Sequence, residues 1–318
     1  MQFIDNQQLH KVLTFDQLIP ALAAGFKEQI TAPLRHHHQF KNPVEGIDST
    51  LLLMPAWKAG AYLGIKIVTV APNNTKYHLP SIQGTYILFD ALKASPIAQM
   101  DAKLLTSIRT AAASALASSF LSQKNSRSLL MLGTGAMATH LIKAHATVRP
   151  IENVYVWGRT YEKALAVANV LKDLPLRMQA IRSIEEKISE VDIISSATLS
   201  NHALVHGVHL RAGQHVDLVG SFKPDMREAD DRAIRKSSVW VDTLEGATRE
   251  TGDILIPLNN GSLDLQSIRG DLFSLCAANT FARNNEKEIT LFKSVGHALE
   301  DLVAARLVWE RLNSANKP

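Results

Sequence analysis

Gly133-Thr134-Gly135-Ala136-Met137-Ala138 is the stretch whose residue types and spacing point most directly to chemistry. Leu129, Leu130, Met131 and Leu132 lead into it with strand character. A helix-like pattern follows, and a second apolar strand runs from Val154 to Trp157. That order suits the pyrophosphate of a dinucleotide. Gly133 permits the tight turn, and Gly135 lets the backbone approach the phosphates. Ala138 lets the helix pack on the sheet, and the helix N-terminus offers N–H groups and partial positive charge. Six letters alone describe many plain strand–turn–helix units. The strands on both sides carry the cofactor reading.

The end of the second strand bears on which dinucleotide. An NAD site places an acid about 20 residues beyond the glycines to hold the ribose 2′-hydroxyl. Here the strand ends Trp157-Gly158-Arg159-Thr160, without a carboxylate. Arg159 and Thr160 suit a 2′-phosphate. NADPH is therefore the expected cofactor, with NADH also usable; the alternative is a solvated loop arginine.

Three cations stand out earlier. Lys66 interrupts the apolar run Leu63-Gly64-Ile65-Lys66-Ile67-Val68. A charge there either faces water on an alternating strand or is paired at a site. Arg109 precedes an Ala-rich segment and reads as a cation at a helix start, where it opposes the helix dipole and favours a bound anion. Arg35 follows Ala32-Pro33-Leu34. Together the three suit a small carboxylate, which arginine grips bidentately. The triple His36-His37-His38 reads as a solvated loop, because neighbouring histidines alternate in direction and no Cys or carboxylate cluster completes a metal site. No metal is expected. Hydrolase chemistry lacks a Gly-x-Ser-x-Gly motif.

The elements that must position these residues form two patterns. Residues 1–110 read as mixed α and β: a helix over 15–30, then strands over 50–56, 62–70 and 84–90 in an antiparallel meander. A helix over 110–123 leads into an alternating region. Strands near 129–132, 153–157, 191–194, 215–219 and 239–241, with helices over 136–148 and 160–172, predict a doubly wound parallel sheet. A long helix over 288–312 is expected to return to the first domain, making it discontinuous. The fold class is thus α/β: a Rossmann-type domain over 111–294 and an α+β substrate-binding and dimerisation domain over 1–110 and 295–318.

The 318 residues are 46% apolar and 20% charged, ordinary globular composition. A net charge of +4 from 34 basic and 30 acidic residues, well mixed, favours anionic small molecules and argues against a nucleic-acid partner. The N-terminus lacks a signal-peptide plan, no uninterrupted apolar run predicts a membrane span, and Cys276 is the single cysteine. A cytoplasmic location is expected.

Several motifs together resemble the ornithine cyclodeaminase/mu-crystallin family. They are Leu53-Met54-Pro55-Ala56, Gly64-Ile65-Lys66-Ile67-Val68, Leu105-Thr106-Ser107-Ile108-Arg109-Thr110-Ala111-Ala112, the glycine loop, Val219-Gly220-Ser221-Phe222-Lys223-Pro224-Asp225-Met226-Arg227-Glu228, and Lys293-Ser294-Val295-Gly296-His297-Ala298-Leu299-Glu300-Asp301. The resemblance spans nearly the whole chain. It implies a homodimer, with Arg35, Lys66 and Arg109 on a substrate carboxylate beside Met54. It implies Gly133, Gly135, Ala136 and Met137 at the pyrophosphate, and Thr110, Thr198, Val219, Ser221 and Gly296 along the rest of the cofactor.

One departure matters. Cyclodeaminases of the family carry an acid where this chain has Phe222. Phenylalanine neither holds an ammonium nor transfers a proton. The pattern here is similar to ketimine and Δ1-pyrroline-2-carboxylate reductases. That implies reduction of a cyclic imino acid to L-proline or L-pipecolate, with Phe222 as an apolar wall and Lys66 able to relay a proton. A cyclodeaminase, an amino-acid dehydrogenase and a non-catalytic NADPH- and ligand-binding protein stay open as alternatives. Asp225 and Glu228 read as caps or ion-pair partners.

Overall fold

The computed structural model describes residues 1–42 and 46–314 and divides them into two compact units, 1–110 with 297 onward, and 111–296.

In the first unit the chain forms β1 (Gln2–Ile4), α1 (Asn6–Val12), α2 (Phe15–Gly25), β2 (His36–Phe40), β3 (Ser49–Lys58), β4 (Tyr62–Val70), β5 (Ile82–Asp90) and β6 (Ser95–Asp101). Its sheet runs β1-β6-β5-β4-β3-β2, with β2 through β6 antiparallel in sequence. Side chains alternate between the two faces of a strand. On one face Met54, Lys66, Tyr86 and Met100 form a single row across β3 to β6, all buried. Lys66 therefore does not face water, one of the two readings its strand allowed. Helix α2 stops at Gly25 rather than running to residue 30. The histidine triple is a strand, not a loop: β2 pairs with β3 and leaves all three rings exposed.

Helix α3 (Ala102–Leu121) starts well before residue 110. Arg109 is thus a mid-helix residue, not a helix-start cation. The Leu-Leu and Ser-Ile pairs before it continue the helix, and Asp101 accepts the Leu104 N–H at 2.7 Å in the manner of a cap. By length and composition α3 could cross a membrane. Its residues 107–118 are buried, as in a core helix.

The second unit continues with β7 (Ser128–Leu132), α4 (Ala136–Val148), β8 (Asn153–Trp157), α5 (Tyr161–Val170), β9 (Arg177–Ala180), β10 (Ile193–Ser196), β11 (His215–Leu218), α6 (Asp231–Lys236), β12 (Ser237–Val241), α7 (Leu244–Glu250), α8 (Gly252–Asn259), β13 (Gly270–Asp271), α9 (Leu272–Ala278) and β14 (Ile289–Lys293). All pairs in its sheet, β13-β12-β14-β11-β10-β7-β8-β9, are parallel. The expected helix over 288–312 is split: β14 takes its start, and α10 (Ala298–Ser314) follows in the first unit. Every residue of β14 is buried, so the strand shows no two-residue alternation to distinguish it from a buried helix. Helix α10 packs on β3, β4 and α2.

Candidate functional site

In the first unit four ionic side chains meet beneath α10. Lys66 Nζ lies 2.7 Å from Asp301 Oδ2. Arg109 donates from Nε to Asp301 Oδ1 at 2.9 Å and from Nη1 to Glu300 Oε2 at 2.5 Å. All four are buried. Two cations thus meet two acids, both in the first turn of α10, where the helix dipole also favours negative charge. Burial and the neighbouring Arg109 lower the Lys66 ammonium to about 8. Burial works against ionised Asp301, but Arg109 and Lys66 outweigh it and hold this carboxyl below its usual range.

The cations expected to clamp a ligand are therefore oriented by partners of their own. Arg35, half-buried just before β2, joins them at longer range: its charge contributes to the lowering of Lys66. Met54 is buried directly across from Lys66.

Tyr86 completes the row. It is wholly buried, and its hydroxyl has no hydrogen-bond partner. A Cβ on Gly64 would lie 1.9 Å from that hydroxyl, so only glycine leaves room for the ring. Nothing in the sequence marked Tyr86, Glu300 or Asp301 as members of this cluster. The available signal was two adjacent acids in an otherwise apolar helix start.

In the second unit the glycine loop does what its spacing predicts. Gly133 takes φ +112°, a left-handed conformation suited to glycine. A Cβ on Gly135 would meet nothing within 4 Å, so the backbone there faces open space. Gly135 is also the N-cap of α4 and provides no side chain to cap it. Beside it lies a cavity of about 290 Å³, lined by Gly133 to Gly135, Trp157 to Thr160, Lys163, and Ala197 to Ser200 with Leu204. Arg159 and Thr160 thus share a cavity with the glycines. Lys163, which no motif in the sequence marks, adds a second cation in the first turn of α5. The Thr160 hydroxyl makes no capping bond to α5. An exposed glycine backbone, an uncapped helix start and two cations are a donor set that fits an anionic dinucleotide. Ala136 and Met137 open α4 outside the residues lining the cavity, and Thr110 is buried in α3.

Other expected cofactor groups have their donors turned inward. Thr198 N and Oγ1 both donate to Glu228 Oε1, at 2.7 and 2.8 Å. Ser221 Oγ donates to Met226 O at 2.7 Å. Gly296 N donates to Asp242 Oδ2 at 2.6 Å, and Val219 N to Ser196 O at 2.8 Å. Phe222 is 39% exposed, with Lys223 Nζ 5.8 Å from its ring centre, and Asp225 is exposed. Glu228, expected as a cap or ion-pair partner, is wholly buried and accepts instead from hydroxyls and loop amides.

Ser195, His145 and Asp217 also meet, the carboxylate Oδ2 lying 2.7 Å from Ser195 Oγ and 3.1 Å from His145 Nε2. Serine and histidine both bond the acid rather than each other, and all three are sealed in the core. This is a buried polar tie between sheet and helix, not a nucleophilic triad. Among the described residues no group of three or more His, Cys, Asp and Glu is gathered to hold a metal.

The sequence matches the model of the ornithine cyclodeaminase/mu-crystallin family over residues 2–316. An uncharacterised protein of Schizosaccharomyces pombe is 43% identical over 99% of this chain and 98% of its own. The Δ1-pyrroline-2-carboxylate reductase of Colwellia psychrerythraea is 36% identical, covering 98% of this chain and 99% of its own. Among solved structures, the Δ1-pyrroline-2-carboxylate reductase of Thermococcus litoralis, in complex with NADH and L-proline, superposes with a TM-score of 0.91. It is 32% identical over 99% of this chain and 98% of that one.

Proposed function

Because the chain belongs to the ornithine cyclodeaminase/mu-crystallin family, we propose that it is an NAD(P)H-dependent oxidoreductase reducing the C=N bond of Δ1-pyrroline-2-carboxylate to give L-proline. Δ1-Piperideine-2-carboxylate, the six-membered homologue, is its second substrate, and NADPH its preferred donor. The observation that carries the reading is the presence of a dinucleotide cradle in one unit and a buried cationic cluster in the other, together with Phe222 where cyclodeaminases keep an acid. Two of the relatives it matches over nearly their whole length are named for this activity.

With its pyrophosphate held at the glycine loop, a nicotinamide cofactor would supply a hydride for C2 of the ring. The chain's own residues bind and protonate. Arg35 and Arg109 attract the carboxylate, and Asp301 and Glu300 hold Arg109 in one orientation. Lys66, lowered to about 8, yields its proton at neutral pH far more readily than an ordinary lysine. It serves as the donor to the imine nitrogen, making C2 the electrophile. One hydride to carbon and one proton to nitrogen complete the amine. Nothing in this sequence of events needs an acid at position 222.

The preference for NADPH rests on Arg159 with Lys163 at the cavity. Arg159→Ala should weaken NADPH binding by about tenfold, the worth of one charge-assisted contact, and leave NADH nearly unchanged. Equal effects on both would remove the arginine from the 2′-phosphate. The face of the first sheet opposite Lys66 supports a homodimer: Leu53, Pro55, Ile65, Ile67, Ile87 and Phe89 are apolar and only partly covered. Light scattering at twice the monomer mass of 34.9 kDa would agree.

The test of activity is direct. Purified protein should oxidise NADPH with the cyclic imine and release no ammonia from ornithine. Efficient conversion of ornithine to proline and ammonia would overturn the reductase reading. Tight NADPH binding with no imine turnover would favour a binding protein.

A further inference from the structure

The second unit buries a carboxylate that the proposed reaction does not use. Glu228 sits in the loop after β11, wholly inaccessible to solvent. Its Oε1 accepts three bonds: from Ser196 Oγ at 2.6 Å, Thr198 N at 2.7 Å and Thr198 Oγ1 at 2.8 Å. Its Oε2 accepts Gly220 N at 2.6 Å. Ser196 ends β10, Thr198 lies in the loop beyond it, and Gly220 lies in the loop beyond β11. One side chain therefore ties together the two loops at the carboxyl ends of adjacent parallel strands, where open α/β sheets bind their ligands.

The tie reaches the glycine loop by direct packing. A Cβ on Gly220 would lie 2.0 Å from Thr198 O, so the two loops touch backbone to backbone. A Cβ on Gly133 would lie 2.5 Å from Ala197 O and 3.3 Å from Thr198 Cγ2. Thr198 thus points its hydroxyl at Glu228 and stands its methyl group against Gly133, on the wall of the cavity. Glu228, Gly220, Thr198 and Gly133 form one stack.

Glu228 is itself held. Its N–H donates to Asp253 Oδ1 at 2.7 Å, and the Ala229 N–H to the same oxygen at 3.1 Å. Asp253 Oδ2 lies 3.2 Å from Lys293 Nζ at the end of β14. A buried carboxylate with four donors is costly to keep if it only fills space, since burial and Asp253 both oppose its charge. An apolar residue of the same size would pack there, but would leave Thr198 N and Gly220 N without acceptors.

We propose that Glu228 is a positioning residue for the dinucleotide, fixing Thr198 and Gly220 so that the wall beside Gly133 keeps the shape the cofactor requires. This rests on the dinucleotide reading above. The residue touches no cofactor atom in this scheme; it acts through the two loops.

Glu228→Gln is the informative change. Glutamine keeps an oxygen for Thr198 but sets an N–H against the Gly220 N–H. NADPH binding to the folded variant, followed by quenching of protein fluorescence, should weaken about tenfold. The kcat at saturating NADPH and the KM for the imine should stay within about twofold. A residue that merely stabilised the fold would lower the melting temperature and leave the dissociation constant of the folded protein alone. Thr198→Val is the second variant. It removes one donor to Glu228, keeps the methyl group against Gly133, and should weaken NADPH binding of the folded protein about threefold. Unchanged NADPH affinity in folded Glu228→Gln overturns the proposal; if that variant does not fold, unchanged affinity in Thr198→Val does. Failure of the wild-type protein to bind NADPH would instead overturn the dinucleotide reading.

Discussion

The two units bury ionic clusters of opposite make-up. In the first, two cations, Lys66 and Arg109, meet two acids, Glu300 and Asp301, side chain to side chain. In the second, two acids, Glu228 and Asp253, share one cation, Lys293, and spend their oxygens mostly on backbone amides and hydroxyls. The first arrangement keeps cationic charge poised and movable as protons. The second turns charge into geometry, because a carboxylate bonded to amides of separate loops fixes those loops. Under the proposed function, the unit assigned the acid-bearing substrate and the unit assigned the large anion use the same kinds of side chain for different ends.

The largest effect should come from breaking the first cluster. Asp301→Ala leaves Lys66 and Arg109 buried without their shared partner. It should cost about 3–5 kcal/mol of stability, read by denaturant unfolding, and lower kcat/KM by at least about a hundredfold. If stability and activity survive, the cluster is not what orients the cations.

Lys66 sharpens the contrast through pH. If it donates its proton, kcat/KM should hold below about 8 and fall roughly tenfold per pH unit above it. Lys66→Arg should remove that limb. A limb that persists in the arginine variant belongs to another group.

The second unit should answer acid instead. Burial drives the His215 imidazole down to about 3 from 6.5. The folded value lies below the unfolded one, so the unfolded chain binds the proton first. This contribution to stability is present above 6.5 and is lost as pH falls toward 3. Glu228 works the other way. Burial outweighs the pull of Lys293 and, with repulsion from Asp253 added, raises it to about 7 from 4.5, so its protonation favours the fold as pH falls through that window. The two nearly offset between 6.5 and 4.5, and His215 alone erodes stability below. His215→Gln should uncover Glu228: melting temperature should then rise as pH falls from 7 to 4.5. A flat profile in that variant would remove Glu228 from the balance.

Much of this contrast could be read from the chain. The glycine loop, the missing acid after β8 and the parallel strands were legible, because turn residues and apolar runs are local signals. Lys66 was marked as unusual by its apolar neighbours. Its partners were not, because Asp301 lies 235 positions further along and only packing of α10 on the sheet brings it close. Arg109 was placed at a helix start since the Ala-rich run hid the weaker helical turns before it. Strand β14 reads as helix in the sequence because it is covered on both faces and shows no alternation. The inward-turned donors of Thr198, Ser221 and Gly296 depend on which buried acid or carbonyl lies opposite each one, and no local pattern encodes that.

The smallest change has a diagnostic sign. Tyr86→Phe removes a buried hydroxyl that bonds to nothing. If the phenol only fills space, stability should rise by about 1 kcal/mol or stay level, and kinetics should not change. A higher KM for the imine, with stability unaltered, would place that hydroxyl on the substrate and make the first cluster larger than drawn.

Transfer of label tests the central claim most directly. With NADPH carrying deuterium at C4 of the nicotinamide and Δ1-pyrroline-2-carboxylate as acceptor, mass spectrometry should find L-proline bearing one deuterium at C2, with one NADPH consumed per proline. No labelled proline from the imine, or, with ornithine in its place, proline formed with ammonia release and no net use of cofactor, would contradict this.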